Sequence, residues 1–270
     1  MSVVVLLVVV GVLTGLTTVL FGFGGGFVTV PVIVWVDAAA GPAAATVAVA
    51  TSSLAMVVSS GVATAATPRP VLRRLRGTAP LLLLLGAGGL VGAAAASFAS
   101  AGLIHWGFVA YLAVTVLDVL ARPGFLRPPS AAAEDADGRE GFAVPAVLGL
   151  PIGAVASFLG VGGSVMTVPL LRRSGLPMDA AAALANPLTA CISAPACAVF
   201  LAGTHGTDTR ALVSAVGPVD LGAAALLLVG ALPVVVLLRR SPPGLADRLH
   251  ARAYVALLCL VLTVMLVRTP

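Results

Sequence analysis

Charged residues are scarce in this sequence. They make up only 9% of its 270 residues, and all 15 basic residues are arginine, with no lysine. Soluble domains average about 25% charged residues, so these side chains are too few to cover a water-soluble globular enzyme. Hydrophobic residues make up 60% of the chain and the mean hydropathy is +1.13. Because a bilayer span needs about 20 mostly apolar residues, the composition predicts a membrane protein with room for roughly eight spans.

Groups that carry enzyme chemistry are also scarce. The three cysteines, Cys191, Cys197 and Cys259, lie in apolar runs and form no CxxC pattern or Cys/His cluster, which argues against a disulfide or a metal site. The apolar runs contain almost no charge, and there is no catalytic triad, metal-ligand spacing or Walker motif. We therefore expect no enzyme activity, no cofactor and no bound metal.

The basic charge lies between the apolar runs. The net charge is +5 and the pI is about 10.1, but the arginines occupy short gaps, as the orientation signals of membrane proteins do. A nucleic-acid partner is therefore not expected. The N-terminal segment lacks the basic region and cleavage site of a signal peptide, so we expect it to be retained as a membrane segment.

One gap is longer and more polar than the rest. Residues 121–141 combine prolines with acidic and basic side chains, which is typical of a solvated linker. This gap predicts an N-terminal membrane repeat at residues 1–121, a polar cytoplasmic linker at 122–141 and a C-terminal membrane repeat at 142–270.

The two halves contain a similar motif. Residues 22–33 (GFGGGFVTVPVI) align without a gap to residues 160–171 (GVGGSVMTVPLL) at an offset of 138, with three glycines and Thr-Val-Pro identical. Farther on, Ala50-Thr51-Ser52 matches Ala185-Asn186-Pro187 at an offset of 135. A chance recurrence in a glycine-rich chain is the alternative, and the shared Thr-Val-Pro ending makes it the weaker one.

The motif interrupts two apolar runs that are long for one span. Val3–Val36 has 34 residues, which would extend about 51 Å as a helix, against a hydrocarbon core of about 30 Å. Glycine breaks a helix, so each run is predicted to be a helix, a break and a short helix that turns back. The fold is then an all-α polytopic membrane protein. It has two inverted-topology repeats, each with a Gly-broken re-entrant helix pair plus three spanning helices.

The arginines support this arrangement. With the re-entrant pairs, 13 of the 15 arginines are cytoplasmic and only Arg210 and Arg268 lie outside, as the positive-inside rule prefers. If each long run crossed once, eight arginines would be inside and seven outside. The inverted arrangement also predicts that both termini are extracytoplasmic.

The breaks are the candidate site. The short helices begin near Gly26 and Ser164, and helix N-termini with free N–H groups favour anions. Polar residues on the following runs can hydrogen-bond an oxyanion without placing a charge in the membrane. The candidate substrate-binding residues are Gly22, Gly24, Gly25, Gly26, Thr51, Ser52, Gly160, Gly162, Gly163, Ser164, Asn186 and Thr189. The alternatives are small-residue helix packing, which we assign to Gly86–Gly92, and helix–helix hydrogen bonding by the polar residues.

These motifs resemble the TauE/SafE sulfite exporter family, also called TSUP, over nearly the whole chain. The resemblance rests on Gly22–Gly26 with Pro31 and Ala50-Thr51-Ser52, and on Gly160–Gly163 with Pro169. It implies secondary transport of small sulfur-containing anions such as sulfite, sulfonates or sulfoacetate-like compounds across the cell membrane. The second half departs from the Ala-Thr-Ser pattern with Ala185-Asn186-Pro187, so the two polar clusters need not be equivalent.

The expected function is a secondary anion transporter that works by alternating access. A passive anion channel, or a membrane scaffold or assembly factor without transport, are the alternatives. The expected partners are a small anionic substrate and the lipid bilayer, and a homodimer is left open.

Overall fold

The computed structural model describes residues 3–36, 44–126, 144–203, 215–241 and 243–267, which are mostly helical. Seven helices in these ranges are long and apolar enough to cross a membrane. The architecture is therefore that of an all-α polytopic membrane protein. The helices are α1 (Val3–Phe21), α2 (Gly26–Val36), α3 (Ala44–Ala65), α4 (Arg69–Leu72), α5 (Ala79–Ala96), α6 (Ala101–Ala121), α7 (Gly149–Leu159), α8 (Ser164–Arg173), α9 (Met178–Ala202), α10 (Leu221–Arg240) and α11 (Asp247–Val267).

Both long apolar runs consist of two helices. The first is divided into α1 and α2 at Gly22–Gly25, and the second into α7 and α8 at Gly160–Gly163. A 3-10 turn at Ala146–Leu148 precedes α7, and another at Arg73–Leu75 follows α4. The predicted interruption of both runs at their glycines is thus confirmed.

Two helices begin at acidic residues. Helix α10 begins at Leu221, directly after Asp220 and the antiparallel strand pair β1 (Ala215–Val216) and β2 (Val219–Asp220). The Asp220 carboxylate accepts a hydrogen bond from the Ala223 N–H at 2.9 Å, so this side chain caps the helix and fixes its start. Helix α11 begins at Asp247, so its first turns carry charged side chains.

Glycines allow close packing of two helix pairs. A Cβ at Gly11 of α1 would overlap the Leu227 carbonyl of α10, and one at Gly15 would lie 2.5 Å from the Ala231 carbonyl oxygen. Likewise, Gly88 of α5 lies against Leu150 of α7, and Gly92 against Ala154. The packing role predicted for the α5 glycines is confirmed, and the matched register shows that in each pair the two helices run in the same direction.

Other contacts fix the remaining helix directions. The start of α3 meets the start of α10, where the Asp220 N–H donates to Thr51 Oγ1 at 3.0 Å, and Ala63 near the end of α3 packs with Val235. These two helices therefore run the same way. Helices α5 and α9 also run the same way, since Gly89 packs on Ile192 and the following turns of the two helices also pack against each other. By contrast, Ala45–Ala50 of α3 packs with the last turns of α9, so α3 and α9 run in opposite directions.

Two ion pairs join α6, α8 and α11 at one end of the bundle. The Arg172 side chain at the end of α8 is fully buried and pairs with Asp247 at the start of α11. Its Nε also donates to the Phe125 carbonyl at 3.1 Å. Phe125 is fully buried as well, so the residues that directly follow α6 pack against the bundle. Arg173 pairs with Asp118 of α6 at 2.7 Å.

Candidate functional site

Left-handed glycines end the helices that precede both breaks. Gly22 and Gly160 have φ of +73° and +66°, and Gly24 and Gly162 have φ of +61° and +69°. These pairs are equivalent in the repeat, and only glycine adopts this conformation readily. At the second break the Val161 N–H donates to the Ala156 carbonyl at 3.0 Å, the 6→1 bond typical of a helix C-terminus with a left-handed glycine. The repeated glycines therefore encode a helix break at the same position of the motif in each half.

Each break is followed at once by a helix N-terminus. The first hydrogen bonds of α2 run from Val28 and Thr29 to the Gly25 carbonyl, and those of α8 run from Met166 and Thr167 to the Gly163 carbonyl. The N–H groups of the first two residues of each helix thus have no acceptor within that helix. They add to the positive end of the helix dipole, which favours an anion.

The two breaks lie against each other. A Cβ at Gly26 would overlap the Gly160 carbonyl oxygen, and a Cβ at Gly162 would lie 3.4 Å from the Phe23 carbonyl oxygen. Twelve residues are predicted from the sequence to form the site, and all twelve are buried. The structure brings the glycines of both halves together at the centre of the bundle.

Helices α3 and α9 cross beside this junction. Ser52 Oγ of α3 donates to the Gly160 carbonyl at 3.2 Å, and Ser59 Oγ donates to the Gly24 carbonyl at 2.5 Å. The Thr189 methyl of α9 would lie 2.7 Å from a Cβ at Gly24 and 2.9 Å from one at Gly162. Each helix therefore contacts both breaks.

Two of the predicted polar residues bind elsewhere. Thr51 Oγ1 accepts from the Asp220 N–H at the start of α10, so it holds the β2 segment and does not face the breaks. Asn186 Nδ2 donates to the Thr18 carbonyl at 3.3 Å and to the Ala182 carbonyl at 3.1 Å. These two carbonyls fix the amide orientation and leave Oδ1 buried without a partner among the described residues. Thr51 and Asn186 match in sequence but differ in role.

Tyr254 is a contact of the site that sequence reasoning missed. Pro169 has no N–H and so cannot donate to the Val165 carbonyl one turn earlier. The Tyr254 hydroxyl of α11 donates to this carbonyl at 2.9 Å. The proline position is a sequence signal for the freed carbonyl, but nothing in the sequence identifies the donor.

Aromatic rings close one side of the junction. Phe23 in the first break lies 4.5 Å from Phe27 and 5.3 Å from Tyr254 between ring centroids, and Phe125 lies 5.2 Å from Tyr254. All four rings are fully buried. The polar groups at the breaks thus face an apolar, tightly packed wall.

Hydroxyl groups differ between the two helix N-termini. In the first half Thr29 Oγ1 donates to the Gly25 carbonyl at 2.9 Å. In the second half Ser164 Oγ, Thr167 Oγ1 and Thr189 Oγ1 are buried and have no partner within the described ranges. Those ranges also contain no group of three or more His, Cys, Asp or Glu side chains that could hold a metal ion. The site is therefore built from neutral hydrogen-bond donors.

The geometry and the sequence agree with one protein family. The family model described as sulfite exporter TauE/SafE matches residues 7–269. The chain belongs to this family. No curated protein and no solved structure matches it significantly. The resemblance predicted from the glycine repeats is thus confirmed. Together with the seven apolar helices, membership of this family makes the chain a multi-pass membrane protein of a transporter family for sulfite-like anions.

Proposed function

We propose that this TauE/SafE protein is a secondary transporter that moves a small sulfur-containing anion, sulfite or a sulfonate, across the cell membrane by alternating access. The observation that carries the proposal is the contact between the two helix breaks, one from each half, at the centre of the bundle. Paired broken helices with a central site are a recurring transporter design, in which half-helix N-termini bind anionic groups. Neutral donors at such a site suit an anion that must also be released.

The helix directions support an inverted repeat. Helix α1 runs with α10, and α10 runs with α3. Since α1 and α3 then run the same way, α2 has to lead the chain back between them. The same reasoning applies to α7, α5 and α9, with α8 leading back. Because α3 and α9 run in opposite directions, the second half is proposed to be inverted in the membrane relative to the first.

The arginines orient this arrangement. The pairs Arg172–Asp247 and Arg173–Asp118 lie at the end of the bundle where α6 and α8 end, and the positive-inside rule makes that end cytoplasmic. Both termini are then extracytoplasmic. A reporter enzyme that works only outside the cytoplasm is expected to be active when fused after Pro270. Activity of a reporter that works only inside the cytoplasm would overturn the inverted topology. Arg127, Arg139, Arg210 and Arg268 lie outside the described residues.

Flux measurements test transport itself. The purified full chain is reconstituted in proteoliposomes, and sulfite entry is followed with and without sulfite inside, next to protein-free vesicles. A carrier gives saturable entry that internal substrate accelerates. The buried aromatic wall beside the breaks favours this outcome over a continuous polar pore. Non-saturating conductance would indicate a channel, and no flux of sulfite or any sulfonate would overturn the proposal in favour of a non-transport role.

A further inference from the structure

The two halves use equivalent helix N-termini differently. At the start of α2, position 26 is glycine and has no side chain, and the next hydroxyl, Thr29 Oγ1, donates to the Gly25 carbonyl at 2.9 Å and lies 3.3 Å from Thr14 Oγ1. Ser59 Oγ donates to the Gly24 carbonyl at 2.5 Å. The buried hydroxyls at the first break are thus already hydrogen-bonded within the protein.

The second break has hydroxyl groups that no described residue binds. Ser164 and Thr189 are 0% exposed and Thr167 is 4% exposed, yet their hydroxyl oxygens lack a hydrogen-bond partner anywhere in the part of the chain that the structure describes. A buried hydroxyl without a partner is costly, and three occur at one helix end. This cluster indicates a ligand that supplies the missing acceptors.

The three hydroxyl-bearing side chains belong to the first turn of α8 or lie beside it. Ser164 is its first residue, and the Thr167 methyl would lie 3.8 Å from a Cβ at Gly163. The Thr189 methyl of α9 would lie 2.9 Å from a Cβ at Gly162. The N–H groups of Ser164 and Val165, which have no acceptor within the helix, open at the same end.

We propose that the transported anion binds at the second break alone, on the N-terminus of α8, with Ser164, Thr167 and Thr189 as its hydroxyl donors. The N-terminus of α2 then has a structural role and supports the junction from the opposite side. This assignment rests on the proposed function, because it locates the substrate of that transport within the junction.

The donor set also indicates the shape of the ligand. Three hydroxyls and two N–H groups can donate hydrogen bonds to an anion with three acceptor oxygens, as sulfite and sulfonates have. A carboxylate presents two oxygens and would leave donors unpaired. Methanesulfonate and acetate carry the same charge and one methyl group each, so they form a matched pair of probes for this difference.

The test compares equivalent positions of the two halves. Affinity for sulfite and methanesulfonate is measured by titration on the purified full chain. Thr167→Val and Thr189→Val each remove one hydroxyl at nearly constant volume, and Ser164→Gly gives α8 the residue that α2 has. Each is expected to weaken binding by about tenfold or more, since hydrogen bonds to charged groups are strong. Thr29→Val, at the position equivalent to Thr167, is expected to stay within about twofold of the wild type.

Controls separate a binding role from a folding role. Thr189→Ser keeps a hydroxyl and is expected to retain affinity that Thr189→Val loses, even if both variants are less stable. In the wild type, methanesulfonate is expected to bind more tightly than acetate. Equal losses in Thr29→Val and Thr167→Val, or equal binding of the two probes, would overturn the one-sided site and leave transport standing. Wild-type protein that neither binds nor moves any sulfur oxyanion would instead refute the proposed function.

Discussion

Gly26 is the residue at which the contact between the two breaks can be tested most directly. In Gly26→Ala the new Cβ would lie 2.6 Å from Met56 Sδ and still closer to the Gly160 carbonyl oxygen, whereas real Cβ atoms stay beyond 3.0 Å and ordinary contact begins at 3.4 Å. The breaks would have to separate by about 1 Å to accept one methyl group, a typical overpacking strain. Because the main obstacle is backbone, a rotamer change cannot relieve it.

The expected loss follows from this geometry. Overpacking a close-packed interior costs about 1–3 kcal/mol, and this site is near the upper end because both sides of the contact are backbone. Gly61→Ala in α3 is the matched control, since a Cβ there meets nothing within 4 Å. That substitution should stabilise the helix by up to about 1 kcal/mol. The two variants are thus expected to differ by about 3 kcal/mol in free energy of unfolding.

Thermal unfolding of the purified chain in detergent, read beside sulfite flux in proteoliposomes, checks this expectation. Gly26→Ala should unfold about 5–10 °C below Gly61→Ala and lose most of its flux, while Gly61→Ala keeps wild-type flux. The reasoning is refuted if both variants unfold at the same temperature and transport equally, because the breaks could then not be in close contact.

Two further pairs of substitutions test the packing around the site. Arg172→Met removes the fully buried guanidinium that pairs with Asp247, whose side chain is 27% exposed, and should cost about 1.5–3 kcal/mol in unfolding free energy. Arg122→Met, whose side chain is 74% exposed, should cost at most about 1 kcal/mol, and similar losses would contradict the burial of Arg172. Tyr254→Phe removes the donor to the carbonyl that proline frees in α8 and should cost about 1–2 kcal/mol. Tyr111→Phe should be close to neutral, because its hydroxyl has no partner among the described residues, and the opposite ranking in thermal unfolding would contradict that hydrogen bond.

Much of the secondary structure follows from local sequence. Apolar run length and glycine position predict both broken helices because an unbroken helix would exceed the membrane thickness and glycine tolerates positive φ. The start of α10 depends on the Asp220 side chain, which caps the helix, and hydropathy alone does not locate such a cap.

The candidate site is less predictable from sequence than the fold. Thr51 and Asn186 occupy matched alignment positions and were both candidate binding residues, yet one holds β2 and the other bonds to α1 and to its own helix. Thr167 and Tyr254 were not identified, because their importance depends on neighbours from distant segments. A repeat in sequence predicts equivalent backbone, since backbone form is local, but it does not predict equivalent side-chain partners.

The sequence by itself determined that this is a membrane protein with a recurring glycine motif, because scarce charge, apolar length and the motif are each visible along the chain. Only the tertiary structure decided that the two breaks touch and that α1 and α3 run in the same direction. It also decided that Thr29 is hydrogen-bonded at one break, whereas three buried hydroxyls at the other have no partner among the described residues. The physical reason is that hydrogen bonding and close packing are pairwise. They depend on which distant backbone and side-chain atoms the fold brings within a few ångströms.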